Sequence, residues 1–173
     1  LCDLAADVSE ESELRGLCER ALGAITPGAH SARIALRLAR LAEVAGERRT
    51  AATHYGEAWR WDPRCSEAAL CQSRLARMAG DWLEADGILA RFLEAHPDPT
   101  SASVAQVHLE RGRLLSGPLE AYEDAIGAYR RALELVPGLA VARSALGGLL
   151  LHAPDRWREA LALHREILAT APT

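Results

Sequence analysis

Lysine and asparagine are absent from this chain of 173 residues, and all 20 of its basic side chains are Arg. A GC-rich genome is the plain source of such a bias. β-branched and aromatic residues are also scarce: 6 Val, 5 Ile and 5% aromatics. A sheet protein of this length draws heavily on those residue types, so a β fold is excluded on composition. No apolar run reaches the ~18 residues that a membrane helix needs, and the chain is expected to be soluble. The four cysteines, at 2, 18, 65 and 71, show none of the close pairings that mark zinc or redox motifs. Reduced thiols follow, because a helical chain of this size builds its own core without covalent staples. The six histidines include no pair at the four-residue spacing that aims two ligands from one helix face, and the glycines form no phosphate-cradling loop. No metal or cofactor is expected. An enzyme is not expected either. Cys71 among arginines could form a nucleophilic thiolate, but no partnering base is indicated.

What is abundant is Ala, 34 residues, and Leu, 27. These are the strongest helix formers, and they point to an all-α chain. The net charge of −4 has a location. Residues 1–26 hold six acids (Asp3, Asp7, Glu10, Glu11, Glu13 and Glu19) against two Arg, while the remainder holds eighteen of each sign. Nucleic-acid binding is therefore unsupported by net charge.

Prolines at 27, 63, 97, 137 and 172 each close an apolar-periodic stretch, at spacings of 36, 34, 40 and 35 residues. Twelve residues before the last four stand Ala51, Ala85, Ala125 and Ala160; eight before stand Tyr55, Leu89, Tyr129 and His164. Ala58, Phe92, Ala132 and Ile167 stand five before, and Arg48, Trp82, Tyr122 and Trp157 fifteen before. Steps of four and three trace one helix face ending at a proline, which lacks an N–H and disfavours helix for the residue ahead of it. A second helix precedes each of these, most clearly the Ala35, Leu38, Ala39, Ala42 stripe closed by Gly46, with Gly80 in the matching place. Each unit of about 34 residues thus reads as helix, tight turn, helix, proline turn, and such units must stack to bury both faces.

The stretch Ala121-Tyr-Glu-Asp-Ala125-Ile-Gly-Ala-Tyr129-Arg-Arg-Ala132-Leu-Glu-Leu-Val-Pro137 resembles the second helix of the tetratricopeptide repeat. Asp81-Trp-Leu-Glu-Ala85 and Trp157-Arg-Glu-Ala160 repeat its start, and Leu146-Gly147 matches the Leu-Gly pair of its first helix. The resemblance implies a right-handed α-solenoid of antiparallel helix pairs in a single array: a partial repeat over 1–28, then repeats over about 29–63, 64–98, 99–138 and 139–173. The repeat ending at Pro137 carries six extra residues around Ser116-Gly-Pro118, and Phe92 replaces the small residue that the family prefers. In the partial repeat, Ser9 followed by Glu10 and Glu11 reads as the cap of a second helix. A half repeat at one end and no polar capping helix at the other suggest a piece of a longer, cytoplasmic protein that self-associates or exposes an apolar end.

The resemblance also implies function. Such arrays are protein-interaction scaffolds that hold a partner peptide in a concave groove lined by first helices. The matching positions here are Arg33, Leu36, Arg37, Arg40 and Val44, then Glu67, Leu70, Cys71, Arg74, Arg77 and Met78. Arg33, Arg37 and Arg40 share one helix face, and guanidinium forks hold carboxylates bidentately, so the patch suits an acidic peptide or a chain terminus. The bland alternative is a solvated face salt-bridged to Glu43 or Glu67. Members that bind chaperone tails use Lys and Asn at these places, and the lack of both argues against that partner class. Two other readings stand beside the scaffold: an oligomerising structural array, and a recruiting arm of an enzyme whose catalytic domain lies elsewhere. Trp82, Tyr122 and Trp157 recur at one repeat position, and periodicity assigns them to packing. Of Trp59 and Trp61, one is expected to pack and the other to anchor a partner.

Overall fold

The computed structural model describes the backbone of residues 2–24, 26, 28–96, 100–151 and 156–170, with side chains for all of these but 2–12, 164 and 166–170. Among the described residues there are nine α-helices and no strand: α1 Cys2–Ala24, α2 Ala29–Val44, α3 Arg48–Trp61, α4 Ser66–Ala79, α5 Trp82–Ala95, α6 Ala102–Ser116, α7 Tyr122–Leu135, α8 Ala140–Leu151 and α9 Trp157–Thr170. Two compact units are present, Leu1–Gly80 with Ala95–Pro97, and Asp81–Glu94 with Asp98–Thr173.

The repeat positions read from the sequence fall where the helices need them. Arg48, Trp82, Tyr122 and Trp157 are the first residues of α3, α5, α7 and α9. The alanines one turn further, Ala51, Ala85, Ala125 and Ala160, are all fully buried, as are Ala58, Phe92 and Ala132. Phe92, where the family prefers a small residue, has no exposed surface. Gly46 and Gly80 follow α2 and α4 with φ of 77° and 85°, a left-handed conformation that closes a helix cheaply only for glycine. Asp62 and Val136, ahead of Pro63 and Pro137, are extended at φ −129° and −135°, as the proline ring demands. Pro27, Pro97, Pro172 and His152 lie outside the described residues.

One local expectation is corrected. α1 runs unbroken from Cys2 to Ala24, so Ser9 lies inside a helix and caps none. The acids that follow Ser9 are good helix formers, and nothing there breaks the helix before Ala24.

In the first unit α1 packs on α2, α2 on α3 and α3 on α4. Its core is mostly alanine: Ala35, Ala39, Ala42, Ala51, Ala58 and Ala68 surround Tyr55 and Leu75. Small side chains let the helix axes approach closely, and the single large ring fills the centre. In the second unit α6 packs on α7, α7 on α8 and α8 on α9. Here Leu109, Leu115, Ile126, Leu146 and Leu150 join Tyr129 and the alanines. Each fully buried Leu or Ile contributes about 1.5–3 kcal/mol, so this core is the richer in apolar burial. Tyr129 approaches so closely that a Cβ on Gly112 of α6 would lie 2.7 Å from its ring. The register of α6 is set at both ends: Ser101 accepts a bond from the Ser103 amide to cap the helix, and Gly112 faces the partner helix.

Candidate functional site

The arginine positions converge on a face shared by α2 and α4 in the first unit. Arg33, Arg37, Arg40 and Val44 follow one another on α2 at steps of four, three and four, and all are exposed. Glu67, Arg74 and Met78 take the corresponding stripe of α4. Leu36 and Leu70 are half-buried, Leu36 packing against the core, and Arg77 is also half-buried.

Two ion pairs bridge the helices. Arg40 donates to Glu67, and Arg74 donates to Glu43 Oε1 at 2.6 Å. Glu43 accepts a second bond, from the Tyr55 hydroxyl at 2.9 Å. Burial alone would raise the Glu43 carboxyl, but the bonds from Arg74 and Tyr55 together outweigh it and hold the group below the usual carboxylate range. Burial, then the Glu43 carboxylate, pushes the Tyr55 hydroxyl upward, so it remains a donor at any ordinary pH. The Arg40 and Arg74 guanidiniums are held charged by Glu67 and Glu43. Arg74 Nη1 also lies 3.8 Å from the Met78 sulfur. Glu43 and Glu67, named as partners in the bland reading, therefore do neutralise Arg40 and Arg74. Arg33 and Arg37 differ: among the described residues neither enters an ion pair. The face divides into a cationic end and a self-neutralised centre.

Sequence reasoning missed the Tyr55–Glu43–Arg74 chain. Its signal was the recurrent Tyr position, whose hydroxyl a repeat pattern cannot direct. Cys71 packs at the edge of the first core, and Cys18, Cys65 and Cys71 are all unpaired thiols. Of the two tryptophans, Trp59 is anchored by donating its indole N–H to Gln72 Oε1 at 2.8 Å, and Trp61 also packs against the core. Neither is a free anchor. Trp82, Tyr122 and Trp157 depart from the packing expectation, being 39, 51 and 51% exposed. Each is the first residue of its helix, and Arg158 covers the Trp157 ring at 5.1 Å. No group of three or more His, Cys, Asp or Glu able to hold a metal occurs among the described residues, and no described helix is long and apolar enough to cross a membrane.

No protein-family model and no curated protein matches the chain. Solved structures do. A crystal structure of MamA superposes with a TM-score of 0.68 at 16% identity, over 96% of this chain and 92% of that one. MamA 41-end from Desulfovibrio magneticus RS-1 gives 0.60 at 16% identity, over 92% and 94%. The Arabidopsis OM64 TPR domain gives 0.56 at 18%, over 72% of this chain and 98% of that domain. The fold is thus the all-α, tetratricopeptide-like helical repeat that the sequence resembles.

Proposed function

We propose that the chain is a non-catalytic protein-interaction scaffold that captures an acidic peptide segment on the α2/α4 face. The observation that carries this reading is the contrast along α2: Arg40 is matched by Glu67, while Arg33 and Arg37, exposed and one turn apart, have no described carboxylate. Two guanidinium forks at that separation suit two neighbouring carboxylates, or one side chain and a chain terminus. The helix fixes the spacing of the two side chains, and ordering each one on binding costs about 0.5–1.5 kcal/mol. The likeness to tetratricopeptide-fold structures supports the scaffold class.

Replacing Arg33 and Arg37 with Glu tests the reading, with helicity monitored by circular dichroism. Binding of a fluorescein-labelled Asp/Glu-rich peptide, followed by anisotropy, is expected to weaken at least a hundredfold while helicity is unchanged. Equal binding by the double variant would place the site elsewhere. Arg74→Glu is the poorer probe, because it would set two carboxylates against each other at Glu43.

A further inference from the structure

Met78 is the single methionine of the chain. It lies in the last turn of α4 and is 52% exposed, so small oxidants in water reach its sulfur. One turn earlier on the same helix, Arg74 aims Nη1 at that sulfur from 3.8 Å. Its other terminal nitrogen, Nη2, donates to Glu43 Oε1 at 2.6 Å, and Glu43 is held in turn by the Tyr55 hydroxyl. The guanidinium is thus fixed on one side by a carboxylate. On the other it meets a thioether, which is a weak acceptor. Oxidation of the sulfur would turn that weak acceptor into a strong one.

We propose that Met78 is a reversible oxidation site whose sulfoxide is captured by Arg74. The sulfur lone pair facing Nη1 attacks one oxygen of hydrogen peroxide, so that an S–O bond forms and the O–O bond breaks. The distal oxygen leaves as hydroxide and takes the proton of the transferred oxygen to become water. The sulfur loses the electron pair that the peroxide gains. The spacing fits the product: an S–O bond of about 1.5 Å and a hydrogen bond of about 2.8 Å, bent at the oxygen, together span about 3.8 Å. Arg74 therefore accepts the new oxygen as a partner without releasing Glu43. Oxidation makes the sulfur chiral, and only the epimer with its oxygen on the Arg74 side gains this bond. The proposal is independent of what the α2/α4 face binds. A sulfoxide ordinarily disrupts its surroundings, whereas here it extends the Tyr55–Glu43–Arg74 chain by one member.

The test treats the folded chain with dilute hydrogen peroxide, restores its thiols with dithiothreitol and digests it with trypsin. The peptide that begins at Met78 is then given methionine sulfoxide reductase A or B, each of which repairs one epimer. Fragment masses separate oxygen on Met78 from oxygen on Trp82 of the same peptide. One reductase is expected to repair about tenfold more than the other, the selectivity that a bond to a charged donor supplies. Arg74→Leu is expected to make the two yields equal. So is oxidation after digestion, when Arg74 has been cut away, and this comparison needs no folded variant. The denaturant midpoint of the oxidised chain is expected to stay at or above that of the reduced chain. Equal epimers from the folded native chain would overturn the proposal, as would selectivity that survives Arg74→Leu, a lowered midpoint or a sulfur that resists peroxide.

Discussion

Tyr55 and Tyr129 occupy one repeat position, eight residues ahead of Pro63 and Pro137, and both rings are almost wholly buried. Their hydroxyls have different partners. In the first unit Tyr55 donates to Glu43, which Arg74 also grips, so the ring ties the core to a charged face. In the second unit Tyr129 shares a bond of 3.1 Å with Ser116, at the end of α6, and ties the core to a loop. Two ion pairs of the first unit, Arg40–Glu67 and Arg74–Glu43, join the first helices α2 and α4, whereas Arg130–Glu159 and Arg156–Glu123 of the second unit join α7 and the start of α9, the second helices. At this position both units bury the ring. What a polar tip reaches is decided locally, and in the first unit Arg33 and Arg37 stand on a first-helix face matched by no carboxylate among the described residues.

The largest contrast is expected at two glycines. A Cβ at Gly112 would meet the Tyr129 ring at 2.7–2.9 Å, and that ring has nowhere to go. Gly112→Ala should cost the second unit about 1–3 kcal/mol, read from the denaturant midpoint. A Cβ at Gly56 would meet the Gln72 amide nitrogen at 2.9 Å, the end of a flexible side chain. There the helix-propensity gain and the disturbed Trp59–Gln72 bond nearly offset, and Gly56→Ala should stay within about 0.5 kcal/mol of the native protein. Comparable losses at both sites would erase the distinction between the units.

A smaller difference is expected at the tyrosines. Tyr55→Phe removes a bond to a carboxylate and should cost about 1.5–3 kcal/mol, while Tyr129→Phe removes a neutral bond worth about 0.5–1.5 kcal/mol. The order of the two midpoints is the result that matters.

The last prediction has no effect at neutral pH. His108 on α6 is held down to about 4 by burial first, then by the Arg131 and Arg111 guanidiniums, with Glu134 opposing. Its Nδ1 is buried with no hydrogen-bond partner among the described residues. Native His108 therefore stays neutral while the unfolded chain takes up a proton below pH 6.5. Its contribution is fully present above that pH and is lost as the pH falls from 6.5 to about 4. A His108→Gln protein should lose part of that slope in a urea titration, and an unaltered slope would assign acid sensitivity to other groups.

The helix pairs were legible because Ala at the twelve-back position and proline at the close are demanded by every copy. Ala51, Ala85, Ala125 and Ala160 all landed at full burial for that reason. Ser9 misled, since a cap motif competes with helix continuity and the flanking residues favoured continuity. The aromatics at 82, 122 and 157 misled because recurrence fixes a place in the helix, here its first residue, without fixing depth. In the site, the stripes were readable from i, i+3 and i+4 spacing. Which arginines would be matched depended on contacts 27 and 31 residues apart, between Arg40 and Glu67 and between Glu43 and Arg74, to which a local pattern is blind.

The six extra residues before Pro137 have a practical consequence. The connection from α6 to α7 satisfies its own backbone: the Leu119 amide reaches the Leu114 carbonyl at 3.3 Å, Glu120 reaches Gly117 at 3.2 Å, and Ala121 reaches Leu115 at 2.8 Å. Gly117, Pro118 and Glu120 point outward, and Glu120 takes a left-handed φ of 51°. Lengthening a surface connection costs only slowly growing closure entropy. Gly117–Pro118 is accordingly a permissive seam of the second unit, where a fluorophore tag or a foreign epitope can be spliced between two intact helices.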